Sequence, residues 1–270
     1  MKHYAVIGCP LKFCLSAPVF NGAFKALALE AECQTREVTP EELSAVVTEL
    51  KQGALNGLVL TRPHKTPILP YLDEVSEEAK ILDAVNEVVR LEDGRLKGDN
   101  TDWMGVVAAC QTVIPGLSGK SVLILGAGGA ARAAVYGLKK AGATVALWNR
   151  NPERAKSFAE KMDVEWVSDL AYWEGSPEII LNATDATHGE KQSTLVPFKL
   201  WGRVNLALDV VYGKTSLFLE EAKAAQVPHT LSGEVWFLEQ VERVFEFLTG
   251  QSPPKELMEQ LTHEAKEIRV

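Results

Sequence analysis

Two constellations in the sequence have residue types and spacing suited to chemistry. The first is the run Val122-Leu123-Ile124-Leu125-Gly126-Ala127-Gly128-Gly129-Ala130-Ala131-Arg132. An apolar segment leads into glycines and then into a helix-forming stretch, the context a dinucleotide-binding turn requires. Gly126 permits the tight turn, and Gly128 and Gly129 let backbone N–H groups approach a pyrophosphate. The helix N-terminus adds a partial positive charge. The next apolar segment ends Trp148-Asn149-Arg150-Asn151, with Arg154 one helical turn further on. An NAD site has Asp or Glu about 20 residues past the glycines, accepting from the ribose 2′-hydroxyl. No carboxylate stands at that place, whereas two guanidinium groups can grip a 2′-phosphate through forked, charge-assisted hydrogen bonds. The pattern therefore predicts NADP over NAD. The second constellation is Lys65 with Asp102. A carbonyl reduced by a nicotinamide needs a proton as the hydride arrives; a lysine can give it and a nearby carboxylate can orient the lysine. Taken alone, the two also read as a surface lysine and a helix N-cap. The five histidines (His3, His64, His188, His229, His263) have no clear ligand spacing, so no catalytic metal is expected.

These residues need a scaffold, and two βα series supply it. In the first, Tyr4 to Ile7 reads as a buried strand, Pro18 to Leu29 as a helix and Cys33 to Val38 as a strand. Thr39-Pro40-Glu41-Glu42 starts a helix running to about Gln52, and Gly57 to Leu60 is a short strand halted before Pro63. Val88 to Leu91 and Arg95 to Lys97 flank Glu92-Asp93-Gly94 as a hairpin. In the second series Ser121 to Leu125, Thr144 to Trp148, Glu178 to Asn182 and Asn205 to Val211 read as strands. The glycine turn opens one intervening helix and Asn151-Pro152-Glu153 another. Val235 to Leu248 is helical, and a last amphipathic helix follows Pro253-Pro254. The fold class expected is α/β.

Composition bounds the function. The 270 residues are 46% hydrophobic and 24% charged, enough for a buried core and unlike collagen, coiled-coil or disordered chains. The net charge of -8 disfavours nucleic acid and anionic membrane as partners. No apolar run reaches the roughly 20 residues that span a bilayer, and MKHYAVIGCP lacks the longer apolar core of a signal peptide. Cys9, Cys14, Cys33 and Cys110 form no CxxC pair, which fits reduced thiols in a cytoplasm.

Thr61-Arg62-Pro63-His64-Lys65, Ala84-Val85-Asn86, Gly98-Asp99-Asn100-Thr101-Asp102, the glycine turn, Asn149-Arg150, Asn182-Ala183-Thr184, Asp209-Val210-Val211-Tyr212 and Gln240 occur together in this order. In order and spacing this set resembles the shikimate dehydrogenase family over essentially the whole chain. The resemblance implies a substrate domain of residues 1–101 and 235–270, completed by the C-terminal helices, and a Rossmann-like NADP domain of residues 102–234 between its two parts. It implies reversible hydride transfer between NADPH and a 3-dehydroshikimate-like cyclic ketone, with Lys65 as proton donor and acceptor and Asp102 paired to it. Asn86, Thr61 and Gln240 would bind ring hydroxyls, and Ser16 and Tyr212 would face the substrate carboxylate. Gly126, Gly128, Gly129, Ala130, Asn149, Arg150, Arg154 and Thr184 would hold the cofactor. The expected assembly is a monomer or homodimer. A paralogue with a quinate-like or other substrate, and a non-catalytic NADP-binding sensor, are the alternatives.

The sequence departs from the family pattern in places that cluster. The usual Ser-Leu-Ser-Pro loop reads Cys14-Leu15-Ser16-Ala17, and the usual Asn-Val-Thr reads Val59-Leu60-Thr61. Arg62 replaces an aliphatic residue, Asp185-Ala186-Thr187-His188 replaces Pro-Leu-Gly-Met, and Trp236 stands where a methionine is usual. A two-residue shortening follows Tyr212. A thiol is a weak donor and valine none. Hydrogen bonds to charged groups are worth about 1.5–3 kcal/mol each. Two such losses at the carboxylate end would weaken shikimate binding about 10²–10⁴-fold.

Overall fold

The computed structural model describes residues 1–11, 14–184, 186, 194–212 and 216–267. The chain divides into two compact units, Met1–Thr101 with Gln240–Val270, and Asp102–Glu239. In chain order the first segment holds β1 (Lys2–Gly8), α1 (Ser16–Ala26), β2 (Ala31–Glu37), α2 (Leu43–Gln52), β3 (Gly57–Leu60), β4 (Glu74–Val75), α3 (Glu77–Leu82), β5 (Glu87–Arg90) and β6 (Leu96–Asp99). The middle segment holds α4 (Asp102–Gln111), β7 (Ser121–Leu125), α5 (Gly129–Lys140), β8 (Thr144–Trp148), α6 (Pro152–Met162), β9 (Glu165–Trp166), β10 (Ile179–Asn182), β11 (Leu206–Asp209), α7 (Leu217–Ala224) and β12 (His229–Leu231). Helix α8 (Gly233–Thr249) carries the chain back to the first unit, and α9 (Lys255–Glu267) ends it. Among the described residues no helix is long and apolar enough to cross a membrane.

The sheet of the first unit runs β2-β1-β3-β5-β6-β4. Strand β1 is parallel to β2 and β3, and β5 is antiparallel to β3; the turn at Glu92-Asp93-Gly94 then folds the chain back as a hairpin, so that β6 is antiparallel to β5. One face packs Ala5, Ile7, Leu58, Leu60 and Val88 against Val46, Val47 and Leu50 of α2. On the other face Tyr4, Phe20 and Phe24 meet Phe245 of α8, with ring centroids 5.3–5.6 Å apart for three of the pairs. Tyr4 Oη also donates to the Leu248 carbonyl at 3.2 Å. The start of α2 is fixed by a preceding 3₁₀ turn whose cap, Thr39, forms a reciprocal capping box with Glu42.

The second sheet is wholly parallel, in the order β12-β11-β10-β7-β8-β9. Renumbered from its own first strand, this is the 3-2-1-4-5-6 order of a doubly wound dinucleotide-binding sheet. Its strands read as continuous apolar runs because helices cover both faces. Val122, Ile124, Leu147, Leu181 and Leu208 pack with Ala134 and Leu138 of α5 on one side. Leu123, Leu125, Ile180 and Ala207 pack with Trp201 and Phe218 on the other.

Candidate functional site

In a sheet of this order the ligand crevice lies outside the carboxyl ends of the strands, where the connections reverse direction; here that point is between β7 and β10. The glycine turn occupies it. Gly126 has φ +119, and its N–H donates to the Trp148 carbonyl at 2.7 Å. A Cβ at Gly126 would stand 2.9 Å from the carbonyl oxygen of Ala183 in the loop after β10, so only glycine closes this turn. Gly128 differs: it is the N-cap of α5 with φ -86, and a Cβ there would meet no protein atom within 4 Å. Its place in front of a helix N-terminus, with space above it, suits a phosphate group. Gly129 and Ala130 form the first turn of α5 and are half-buried.

Polar residues at the ends of β10 and β11 set the facing loop. Asn182 and Asp209, both fully buried, are register partners. Asn182 Nδ2 donates to Asp209 Oδ2 at 3.1 Å, and the Ser216 hydroxyl donates to the same oxygen at 2.5 Å. Asn182 Oδ1 accepts from both the backbone N–H and the hydroxyl of Thr184, at 3.1 and 2.8 Å. Thr184 is thereby fixed beside the glycine turn. At the end of β8, Asn149 donates to the Asn151 carbonyl, and Asn151 caps α6 by accepting from Arg154 N. Arg154 Nε donates to the Ala127 carbonyl within the glycine turn at 3.1 Å. Arg150 is exposed just past the end of β8. Residues 148–151 contain no carboxylate. The residues thus fit a dinucleotide with a 2′-phosphate: two guanidinium groups and an open helix N-terminus, with no acidic ribose partner.

The first unit gathers a second group of candidates at the carboxyl ends of the adjacent parallel strands β1 and β3. Thr61 follows β3, and its N–H donates to the Ile7 carbonyl at 3.0 Å. A turn then carries Lys65, which is half-buried. Three bonds brace this turn: His64 N to the Thr61 carbonyl, a 2.7 Å contact between His64 Nε2 and the Val38 carbonyl, and Val85 N to the Lys65 carbonyl at 2.8 Å. The last places the backbone of Lys65 beside Val85-Asn86. Asn86 is buried; its Oδ1 accepts from Thr101 N at 2.9 Å, and its Nδ2 donates to Thr101 Oγ1 at 3.3 Å. Asn100 Nδ2 donates to the Ala84 carbonyl, so the segment before α4 is stitched along residues 84–86. Ser16 opens α1 and is half-buried; Cys14 is buried, Val59 half-buried and Arg62 exposed.

Thr61, Lys65 and Asn86 are thus linked within the first unit, with Ser16 opening the helix that follows β1. Asp102 belongs to the second unit, where it opens α4, is buried, and offers its carbonyl to the Trp236 indole N–H at 2.9 Å. Tyr212 is half-buried with its ring 6.1 Å from that of Phe237. Gln240 is half-buried on α8, and its Oε1 is buried without a hydrogen-bond partner among the described residues. The departures at Asp185, Thr187 and His188, and the residues that follow Tyr212, lie outside the described residues. One residue escaped the sequence reading: Glu87, fully buried at the start of β5, whose Oε2 accepts from Thr101 Oγ1 at 3.3 Å. Its only sequence signal was a carboxylate set directly between Asn86 and an apolar strand.

Comparison with known proteins agrees with this geometry. Residues 6–88 match the shikimate dehydrogenase substrate binding domain, and residues 108–191 match the shikimate / quinate 5-dehydrogenase family. A shikimate dehydrogenase (NADP(+)) of Aquifex aeolicus is 38% identical over 82% of this chain and 81% of its own length. One from Desulfitobacterium hafniense is 35% identical over 98% of both chains. The crystal structure of shikimate 5-dehydrogenase from Thermus thermophilus in complex with NADP(H) and shikimate superposes with a TM-score of 0.88, at 34% identity, over 98% of this chain and 100% of that one. The chain belongs to the shikimate dehydrogenase family.

Proposed function

We propose that this protein is an NADP-dependent oxidoreductase acting on a CH–OH group, with 3-dehydroshikimate or a closely related cyclic polyol ketone as its oxidised substrate. The observation that carries the reading is the glycine turn at the β7/β10 switch point, with Arg154 bonded to it and no acidic residue at the end of β8. Gly126, Gly128, Gly129, Ala130, Asn149, Arg150, Arg154 and Thr184 would hold NADP, whose reduced form supplies a hydride when bound.

The chain's own residues do the rest. Lys65 gives a proton to the carbonyl oxygen as it becomes a hydroxyl, and takes it back in the oxidative direction. By the family resemblance, Asp102 is assigned as the carboxylate partner of the lysine ammonium. Asn86, Thr61 and Gln240 hold ring hydroxyls; neutral amide and hydroxyl groups suit a polyol because they both donate and accept. The orphaned Oε1 of Gln240 supports a ligand hydroxyl as its missing donor. By the same resemblance, Ser16 and Tyr212 are assigned to the substrate carboxylate, and Cys14 and Val59 stand where the family pattern has more polar groups.

A spectrophotometric screen of NADP reduction with shikimate, quinate and related ring alcohols tests this. Turnover of shikimate or a close ring analogue, faster with NADP than with NAD, is the expected result. Tight NADPH binding with no turnover of any of them would leave a cofactor-binding sensor instead.

A further inference from the structure

Glu87 lies fully buried in the first unit's sheet, directly beside Asn86. Burying a carboxylate is expensive unless hydrogen bonds receive it, so what it receives matters. Cross-strand partners share a sheet face, and Leu58 with Val88 belongs to the face packed on α2. Alternation therefore puts the next pair, Val59 and Glu87, on the opposite face, the one to which the β3 alternation also assigns Thr61. On that face Glu87 Oε2 receives the Thr101 hydroxyl at 3.3 Å.

Glu87 Oε2 is an acceptor here, and a threonine hydroxyl has one proton. With that proton directed to Glu87, Thr101 Oγ1 offers a lone pair to Asn86 Nδ2, while Thr101 N–H fills Asn86 Oδ1. Both ends of the Asn86 amide are then specified. Without an acceptor at position 87 the hydroxyl proton can turn toward Asn86, and two donors would oppose each other. We propose that Glu87 is a positioning residue that fixes the Asn86 amide through Thr101. The kinetic consequence rests on the reading of Asn86 as a ligand of a substrate hydroxyl; the orientation of the amide does not.

The test uses the full-length protein and reads both. Glu87→Leu should raise KM for the ring substrate about tenfold, the scale of one well-placed hydrogen bond, with kcat and the KM for NADPH little changed. Glu87→Gln keeps an acceptor and should restore KM. In an Asn86→Ala background Glu87→Leu should add nothing further to KM. Independently of turnover, the side-chain amide signal of Asn86 in ¹⁵N-labelled protein, identified by its loss in Asn86→Ala, should move in Glu87→Leu and return in Glu87→Gln. Should Glu87→Leu fail to fold, Glu87→Thr, whose hydroxyl ends two bonds short of Oε2, serves in its place. An unmoved amide signal in the folded variant overturns the proposal, as does a further KM loss in the Asn86→Ala background. Absence of turnover in the wild-type protein would refute the reading of Asn86 as a substrate ligand and leave the amide signal to decide the positioning role.

Discussion

Arg154 Nε and the carbonyl oxygen of Ala127 are 3.1 Å apart, so the first turn of α6 is fastened to the glycine turn. Arg150 and Arg154 follow the end of β8, where in such folds an arginine accommodates a 2′-phosphate. A 2′-phosphate would gain charge-assisted bonds there that a 2′-hydroxyl would not. Arg154→Met is therefore expected to raise KM for NADPH about 10–100-fold, the equivalent of about 1.5–3 kcal/mol, while KM for NADH changes little. Initial rates with the two cofactors decide it; equal losses on both would remove the 2′-phosphate role.

The two turn glycines should separate folding from binding. At Gly126 a side chain meets both a positive φ and a carbonyl oxygen at 2.9 Å. Gly126→Ala should lower stability by about 1–3 kcal/mol and weaken NADPH binding with it. At Gly128 a methyl group meets no protein atom, so Gly128→Ala should melt close to wild type yet bind NADPH several-fold more weakly. Thermal melts and fluorescence titration with NADPH measure the two effects. Unchanged binding in Gly128→Ala would mean that the pyrophosphate does not sit on this N-terminus.

Lys65 is held through its backbone, by Val85 N, in the braced turn around it. Lys65→Ala should fold and bind NADPH as the wild type does, and lose about 10²–10⁴-fold in turnover, the usual worth of a positioned acid/base. Unchanged turnover would take the proton-transfer role away from Lys65.

What the sequence disclosed, and what it hid, follows from length and locality. Gly57–Leu60, Ser121–Leu125 and Thr144–Trp148 are strands at the residues expected, because each is an apolar run bounded by turn or cap signals. Asn151 and Thr39 announced helix starts through local capping chemistry that needs no tertiary context. The two-residue strands Glu74–Val75 and Glu165–Trp166 and the six-residue helix Glu77–Leu82 carry too few residues to show a period. The cofactor turn was legible because its chemistry is contiguous. Glu87 was not, because its partner Thr101 is 14 residues away and is brought to it only by the β5/β6 hairpin. The lock of Asn182 by Asp209 and Ser216 likewise joins separate strand ends.

The base of the second sheet carries a pH-sensitive clasp. Glu178 accepts from Lys120 Nζ at 2.8 Å and from Ser121 N at 3.3 Å, joining the starts of β10 and β7. The lysine bond holds its carboxyl below the ordinary value of 4.5. A depressed carboxylate contributes its stability fully above that ordinary value and loses it as pH falls through the folded value. Lys120→Met should be less stable than wild type by about 0.5–1 kcal/mol at pH 7, as for a partly exposed pair. The two proteins should converge toward pH 3. Urea denaturation at both pH values measures this, and a constant gap would show that the clasp is not electrostatic.

Cys14 and Val59 bear on which substrate the protein prefers. Cys14 is buried in the loop leading to Ser16, and Val59 is half-buried two residues before Thr61, so each sits next to a residue assigned to the ring substrate. A thiol donates weakly and an isopropyl group not at all. Relative to the family pattern, both therefore offer fewer polar partners beside residues assigned to the ring substrate, while Lys65 and Asn86 match that pattern. If that end receives a carboxylate, Cys14→Ser with Val59→Asn should lower KM for shikimate by about 10²-fold or more, at about 1.5–3 kcal/mol per restored bond. Turnover at saturation should change far less, because the residue assigned to proton transfer is unchanged. The comparison with a ring alcohol lacking the carboxylate is decisive: its KM should not improve. An equal gain for both would place Cys14 and Val59 at general packing positions, and a loss for shikimate would mean that the native residues already fit the substrate this protein uses.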